Sequence, residues 1–235
     1  MPLKTLLSAA ALLAATGHAS AQGMFSFDPA EGGAYIAGYV GASSFDDGNY
    51  AGTGTRLKID FDTSVVYGGA IGYRLPFKYW TYFQPRLELE VSIAEPDIQG
   101  IRLNGAPLDG SGGLEATSVL LNSYNDITWL ADQKLVPFIG GGIGFSSLDL
   151  NLAGPPLPGA STPVSIKDET TVFTTTFGGG LSWRVNDRYE LYGEARYTTM
   201  YDADFNSLTA GTTGSQSLSD DPAMASIMFG ARVGL

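Results

Sequence analysis

The chain has no cysteine and a single histidine, and it carries 13 lysines and arginines against 24 aspartates and glutamates. Without cysteine no disulfide can hold it, so stability must come from a core or from complete strand pairing. The lone histidine is His18, so everything after it lacks the commonest general base and metal ligand. The acidic balance excludes nucleic acid as a partner, because a phosphate backbone requires a basic surface. Beyond residue 21 no apolar run reaches the roughly 20 residues of a spanning helix, and no sustained 3.6-residue period with caps appears.

The one apolar run of note stands at the start. Lys4, the run from Leu6 to Thr16, and Ala19-Ser20-Ala21 give the charge, apolar core and small-x-small site of a secretory signal peptide over residues 1–21. The run is too short for a membrane anchor. Removing it takes one lysine and leaves a net charge of −12. Residues 22–32, QGMFSFDPAEG, read as a short periplasmic lead, and residues 33–235 as one β domain.

That domain contains eight stretches of about ten residues rich in Tyr, Phe, Val, Ile and Gly, the length of a tilted membrane strand. They cover residues 33–45, 65–75, 83–95, 116–126, 135–147, 171–185, 189–201 and 223–235. In PRLELEVSIA, Arg86, Glu88 and Glu90 alternate with Leu87, Leu89, Val91 and Ile93, which puts charge on one face and aliphatics on the other. The sixth stretch sets Phe173, Phe177, Leu181 and Trp183 against Thr174, Thr176, Ser182 and Arg184. The seventh sets Leu191, Ala195 and Tyr197 against Glu190, Tyr192, Glu194 and Arg196, and the eighth sets Ile227, Phe229 and Val233 against Ser226, Met228, Gly230 and Arg232.

The connectors decide which face meets water. Short ones (PFKYWTY, ITWLADQK and NDR) alternate with long, acidic, turn-rich ones such as DDGNYAGTGTRLKIDFDTS, as in an up-and-down barrel with loops on one side. Phe77, Tyr79, Trp80, Tyr82, Trp129, Trp183 and Tyr189 crowd the short turns, where a membrane barrel needs a periplasmic aromatic girdle and a soluble one does not. The fold expected is therefore all-β: an eight-stranded antiparallel up-and-down transmembrane β-barrel with aliphatics toward lipid. An open sheet would leave unpaired backbone groups in hydrocarbon. Eight strands leave an interior just wide enough for side chains to fill, so Arg86, Glu88, Glu90, Glu194, Arg196 and Arg232 are expected to form an interior ion-pair network.

Other motifs are weaker. GGGIGF (140–145) loosely matches a nucleotide-binding glycine pattern but has no helix after it, so no cofactor is expected; its glycines suit space in the lumen or tight curvature. Asp202, Asp204 and Asn206 take the first three ligand spacings of a calcium loop, but Ser207 stands at the sixth position and Thr213 at the twelfth, as a solvated acidic loop would have it. AGPPLPGASTP (153–163) reads as a mobile part of the third long loop. The acidity of the long loops suggests recognition of lipopolysaccharide through divalent cations.

RLELEVS, PFIGGGIGF, YGEARYT and MFGARVGL, in that order and spacing, resemble the small eight-stranded outer-membrane β-barrels of Gram-negative bacteria, in particular the opacity-protein and surface-antigen type. The resemblance covers the whole mature chain, residues 22–235. It implies an integral outer-membrane protein with periplasmic termini, contacting outer-membrane lipid and the assembly machinery, in a structural or surface-interaction role and seldom as an enzyme. The family's C-terminal assembly signal falls on Met228, Gly230, Val233 and Leu235, departing from the pattern where Met228 is not polar and Leu235 is not aromatic. Lipid-modifying barrels of this kind rely on a histidine that the chain lacks after residue 18, so no enzyme is expected. A narrow porin-like channel and a soluble lipocalin-like barrel are the alternatives.

Overall fold

The computed structural model describes residues 32–52, 55–78, 82–128, 134–156, 163–210 and 213–235, all built from β-strands and their connections. Eight strands close a lower barrel: β1 (Gly33–Phe45), β4 (Ser64–Arg74), β5 (Phe83–Ala94), β8 (Ser111–Ile127), β9 (Leu135–Pro156), β10 (Pro163–Arg184), β11 (Tyr189–Tyr201) and β14 (Ala223–Gly234). Each pairs antiparallel with the next, and β14 returns to β1 with Ile36 opposite Val233 and Ala42 opposite Ile227. The first and seventh sequence stretches coincide with β1 and β11. Every backbone donor and acceptor in the wall thus has a neighbour on either side, the condition for surviving in hydrocarbon.

Six further strands stand above this barrel: β2 (Gly48–Gly52), β3 (Thr55–Phe61), β6 (Ile98–Leu103), β7 (Ala106–Pro107), β12 (Ala203–Ala210) and β13 (Thr213–Asp220). The long connectors, expected as turn-rich loops, are therefore largely β-structure. Five of the lower strands continue upward after a short break at residues 46–47, 62–63, 95–97, 202 or 221–222, while β8, β9 and β10 run through unbroken. The fourth, fifth and sixth strands accordingly extend past the expected limits, to Ser111, Pro156 and Pro163. Ala153 to Pro156 and Pro163, expected in a mobile loop, belong to β9 and β10; residues 157–162 lie outside the described residues. Residues 22–31 of the expected lead lie outside them as well. The upper tier is closed more thinly, by single pairs Asp97–Gly113, Ser165–Thr209 and Ser219–Ala51.

The two tiers have opposite insides. Around the lower tier Ile36, Val40, Leu87, Leu89, Ile143, Phe145, Phe173, Phe177, Leu181, Leu191, Ile227 and Phe229 point outward, each more than two-fifths exposed. On β10 this band runs from Phe173 to Trp183; ten residue steps of about 3.4 Å at a tilt near 45° give a height of about 25 Å. That is the apolar height of a membrane barrel. In the upper tier the apolar side chains turn inward: Leu57, Ile59, Ile101, Leu103, Leu114, Leu148, Leu150, Leu152, Val164, Ile166 and Phe205 are buried in one cluster that reaches down to Phe45, Val66, Val172 and Met200. Among the described residues of the upper tier no large hydrophobic side chain is exposed.

Candidate functional site: the filled lumen

The inward positions of the lower tier alternate along each strand, so parity alone delivers Arg86, Glu88 and Glu90 from β5, Glu190, Glu194 and Arg196 from β11, and Arg232 from β14 into one space. All are at least nine-tenths buried. Arg74 from β4 and Asp126 from β8 join them. These last two and Glu190 were absent from the expected network, although Glu190 shares the parity of Glu194 and Arg196.

The charges form a closed cycle. Arg74 binds Asp126 at 2.9 Å and Glu190 at 3.0 Å. Asp126 also takes Arg86 Nε at 3.0 Å, Arg86 pairs with Glu88, and Glu88 lies 3.5 Å from Arg232 Nε. Arg232 Nη1 closes the ring on Glu190 at 2.5 Å and also donates to Ser182 Oγ at 2.9 Å. Each charge is flanked by two of opposite sign, the condition under which a buried ion pair can repay its desolvation.

A second layer sits above it. Arg196 reaches across the lumen from β11 to β5, donating Nη1 and Nη2 to Glu90 at 2.5 and 3.0 Å, with Nε on Glu194 at 2.9 Å. The strand order puts β5 and β11 on opposite sides of the barrel, so this bidentate pair spans a diameter. Glu90 also accepts from Tyr39 Oη at 2.6 Å and Asn122 Nδ2 at 2.9 Å.

Aromatic rings fill what the charges leave. The Arg86 guanidinium lies 4.2 Å from the Tyr124 ring and 4.7 Å from Phe138, and Arg232 lies 3.8 Å from Tyr192. Each lumen tyrosine faces a glycine on the adjacent strand: Tyr35 opposite Gly72, Tyr39 opposite Gly68, Tyr124 opposite Gly140, Tyr192 opposite Gly230. A Cβ at Gly230 would stand 2.5 Å from Tyr192 Cζ, so the glycine makes room for the ring. Above the charges Ser118, Ser146 and Thr174 link their hydroxyls at 2.7 Å, and above them stand the buried apolar side chains of the upper tier.

Where the tiers meet, carboxylates encircle the wall. Asp46, Asp47, Asp62, Glu95, Asp97, Asp202 and Asp221 occupy the strand breaks and are exposed. On the unbroken strands Glu115 stands opposite Asp149 and Asp149 opposite Glu169. Lys58 answers part of this charge, bound to Asp47 at 2.7 Å and Asp60 at 3.1 Å, and these hydrogen bonds raise its pKa. Asp202 and Asp204 do not wind into a calcium loop. Residues 203–210 are strand β12, and the Asp202 amide is capped by Asp221 Oδ1 at 2.7 Å. The Asn206 side chain lies outside the described residues, among which no group of three acidic or histidine ligands is placed to share a metal.

Of the expected girdle, Phe77, Tyr82, Trp183 and Tyr189 are about half exposed at the short-turn end, while Tyr79, Trp80 and Trp129 lie outside the described residues. A second aromatic row marks the opposite edge of the band: Phe145 and Phe173, and Phe173 and Tyr201, have ring centroids 6.0 Å apart. In β14, Val233 faces outward and Gly230 inward, under Tyr192, and Leu235, just past the strand, is exposed.

Among solved structures the chain is similar to the outer membrane protease OmpT from Escherichia coli, at 8% identity and a TM-score of 0.54, covering 90% of this chain and 99% of that one. It is also similar to a major outer membrane protein from Thermus thermophilus, at 12% identity and a TM-score of 0.51, covering 86% and 99%. At such identities the likeness is one of fold. No curated protein matches the chain. The model of the outer membrane protein beta-barrel domain matches residues 7–214, in keeping with the closed barrel described above: the chain belongs to this family of outer-membrane barrels.

Proposed function

We propose that this protein is a non-conducting, non-enzymatic outer-membrane barrel, a structural element whose upper tier is its surface for interaction. The observation that carries the reading is the double seal of the lumen, an ion-pair cycle with a diametric Arg196–Glu90 clamp below and an apolar core above. An ion crossing would have to break paired buried charges and then enter a dry apolar layer, and each step is costly. Residues 1–21 act as a cleaved signal peptide, the short turns and termini face the periplasm, and the upper tier faces outward. The absence of histidine after residue 18 supports a non-catalytic role. The similarity to a protease is one of fold.

The acidic belt gives the surface its chemistry. Three carboxylates in direct cross-strand register, Glu115, Asp149 and Glu169, repel one another unless counterions gather. At the level where the band ends, divalent cations there bridge to lipopolysaccharide phosphates, as a diffuse layer rather than one dedicated site.

Planar-bilayer recording of the refolded barrel, after folding is confirmed by its different gel migration unheated and boiled, tests the seal. A folded and electrically silent barrel is expected. Discrete, reproducible steps that change in Glu88→Gln would overturn the reading and make the protein a narrow channel.

A further inference from the structure

The outer wall carries a groove of about 710 Å³. It crosses β9, β10, β11, β14 and β1 on the face that meets lipid. Its small side chains are brought together by register: Gly179 stands opposite Ala195, Ala195 opposite Ile227, and Ile227 opposite Ala42, with Ala225 one row above between Tyr197 and Ser44. Phe177 and Ile227, 64% and 61% exposed, stand out from the wall on its sides, and the lining is almost wholly apolar. The groove therefore lies within the apolar band, below the row of Phe173 and Tyr201.

Its upper end is chemically different. Ser44 and Thr63 line it there, one beside the strand break at Asp46 and Asp47, the other next to Asp62. Tyr197, on the groove wall, donates its hydroxyl to Asp46 at 3.2 Å. The apolar channel thus runs up to the acidic belt.

In hydrocarbon an apolar groove gains nothing from excluding water, since none is present; it is filled by whatever restores the dispersion contacts its walls lack. A single flexible hydrocarbon chain can follow such a groove along its length and supply those contacts. A lipid entering from the upper leaflet arrives with its headgroup at Asp46, Asp47 and Asp62, where a phosphate-rich headgroup carrying divalent cations is complementary in charge. We propose that the groove seats one acyl chain of a lipopolysaccharide whose phosphates are held above it by those three aspartates through divalent cations. The inference rests on the reading of the acidic belt given above and adds a hydrocarbon site to it.

The test uses the whole folded barrel in detergent, with native mass spectrometry measuring the binding of purified lipopolysaccharide and of phosphatidylethanolamine, each with magnesium and with EDTA. Ala195→Leu and Ala225→Leu fill the groove from the lipid side, where both side chains are exposed; Ala231→Leu, exposed on β14 outside the groove, is the control. Gel migration confirms that each variant is folded. Lipopolysaccharide is expected to bind more tightly than phosphatidylethanolamine, and about tenfold more weakly in either groove variant, a change equivalent to roughly 1.4 kcal/mol. Ala231→Leu should bind as the parent does, and EDTA should weaken binding in all. If the groove variants bind normally while EDTA still weakens binding, the acyl seat is wrong and the belt reading stands. If groove filling weakens binding and EDTA does not, the cation bridge is wrong and with it the belt reading. Equal binding of phosphatidylethanolamine would overturn the assignment to lipopolysaccharide.

Discussion

Arg196→Gln is the substitution that most directly tests whether the lumen is held by its charges. The guanidinium satisfies Glu90 through two hydrogen bonds, Glu194 through one at 2.9 Å, and the Tyr124 hydroxyl through one at 2.8 Å. Removing it leaves two carboxylates facing one another in a space closed to water. Glu90 keeps Tyr39 and Asn122 as donors, and Glu194 keeps Tyr124 at 3.1 Å, so the loss is partial. Breaking a buried pair from one side costs about 3–5 kcal/mol. For a barrel of this size each kcal/mol shifts the midpoint by about 2–4 °C, so thermal unfolding followed on gels should fall by about 6–20 °C. The double variant Arg196→Gln, Glu90→Gln removes the orphaned charge as well, and should be less destabilised than the two single changes added together by about 0.5–3 kcal/mol. An unchanged midpoint in Arg196→Gln, or strict additivity in the double variant, would refute the claim that the two side chains act as a clamp.

Gly230→Ala should destabilise the barrel by about 1–3 kcal/mol, because the new methyl meets the Tyr192 ring and the Gly38 carbonyl at 2.5–2.6 Å. Gly38→Ala, whose Cβ would meet nothing nearer than 4.0 Å, should leave the melting midpoint in place; equal effects of the two would show that the ring seats are not tight. Leu235→Phe supplies the aromatic expected at the end of the assembly signal, on a side chain already exposed. It should speed insertion by purified assembly machinery without changing stability, and an unaltered rate would show that Leu235 already serves.

How much of this could be read from residues alone depends on which physical signal each part uses. In β1 and β11 one alternation runs the whole length with turn residues at both ends, and their limits were legible. The ion-pair partners on β5 and β14, and Glu194 and Arg196 on β11, were legible by parity; Glu190 shares that parity but was left out of the expected network. Arg74 sits at the last residue of β4, beside a Pro-containing short turn, and Asp126 near the end of the least regular stretch, so neither stood within a clear alternation. The upper tier was missed because its connectors were weighed by composition, rich in Gly, Asp, Ser and Thr. The finer signals were present: Leu57, Ile59 and Phe61 alternate, and Asn104-Gly105 is a two-residue hairpin pair, here with φ of 51° and 84° between β6 and β7.

A strand records its exit from the membrane in its own alternation. On β9 the apolar side chains lie at odd numbers, Ile139, Ile143 and Phe145, and then at even numbers, Leu148, Leu150 and Leu152. On β10, read from the other end, Phe177 and Phe173 give way to Val172, Ile166 and Val164. The register with the neighbouring strands does not slip at these points. The backbone therefore keeps its pleat, and the change of phase means that the solvent outside has changed from lipid to water, so that apolar residues move from the outer face to the inner one. The broken strands reach the same result by turning the chain over instead. Tyr201 points outward and Ala203, two residues on, inward, with Asp202 between them at a φ of 55°. Since a continuous strand can only invert its polarity by shifting the phase of its sequence, the shift at residues 145–148 and 172–173 fixes the upper membrane boundary from residue identities. The carboxylates Glu115, Asp149 and Glu169 lie just above that boundary, where a charged outer face first meets water.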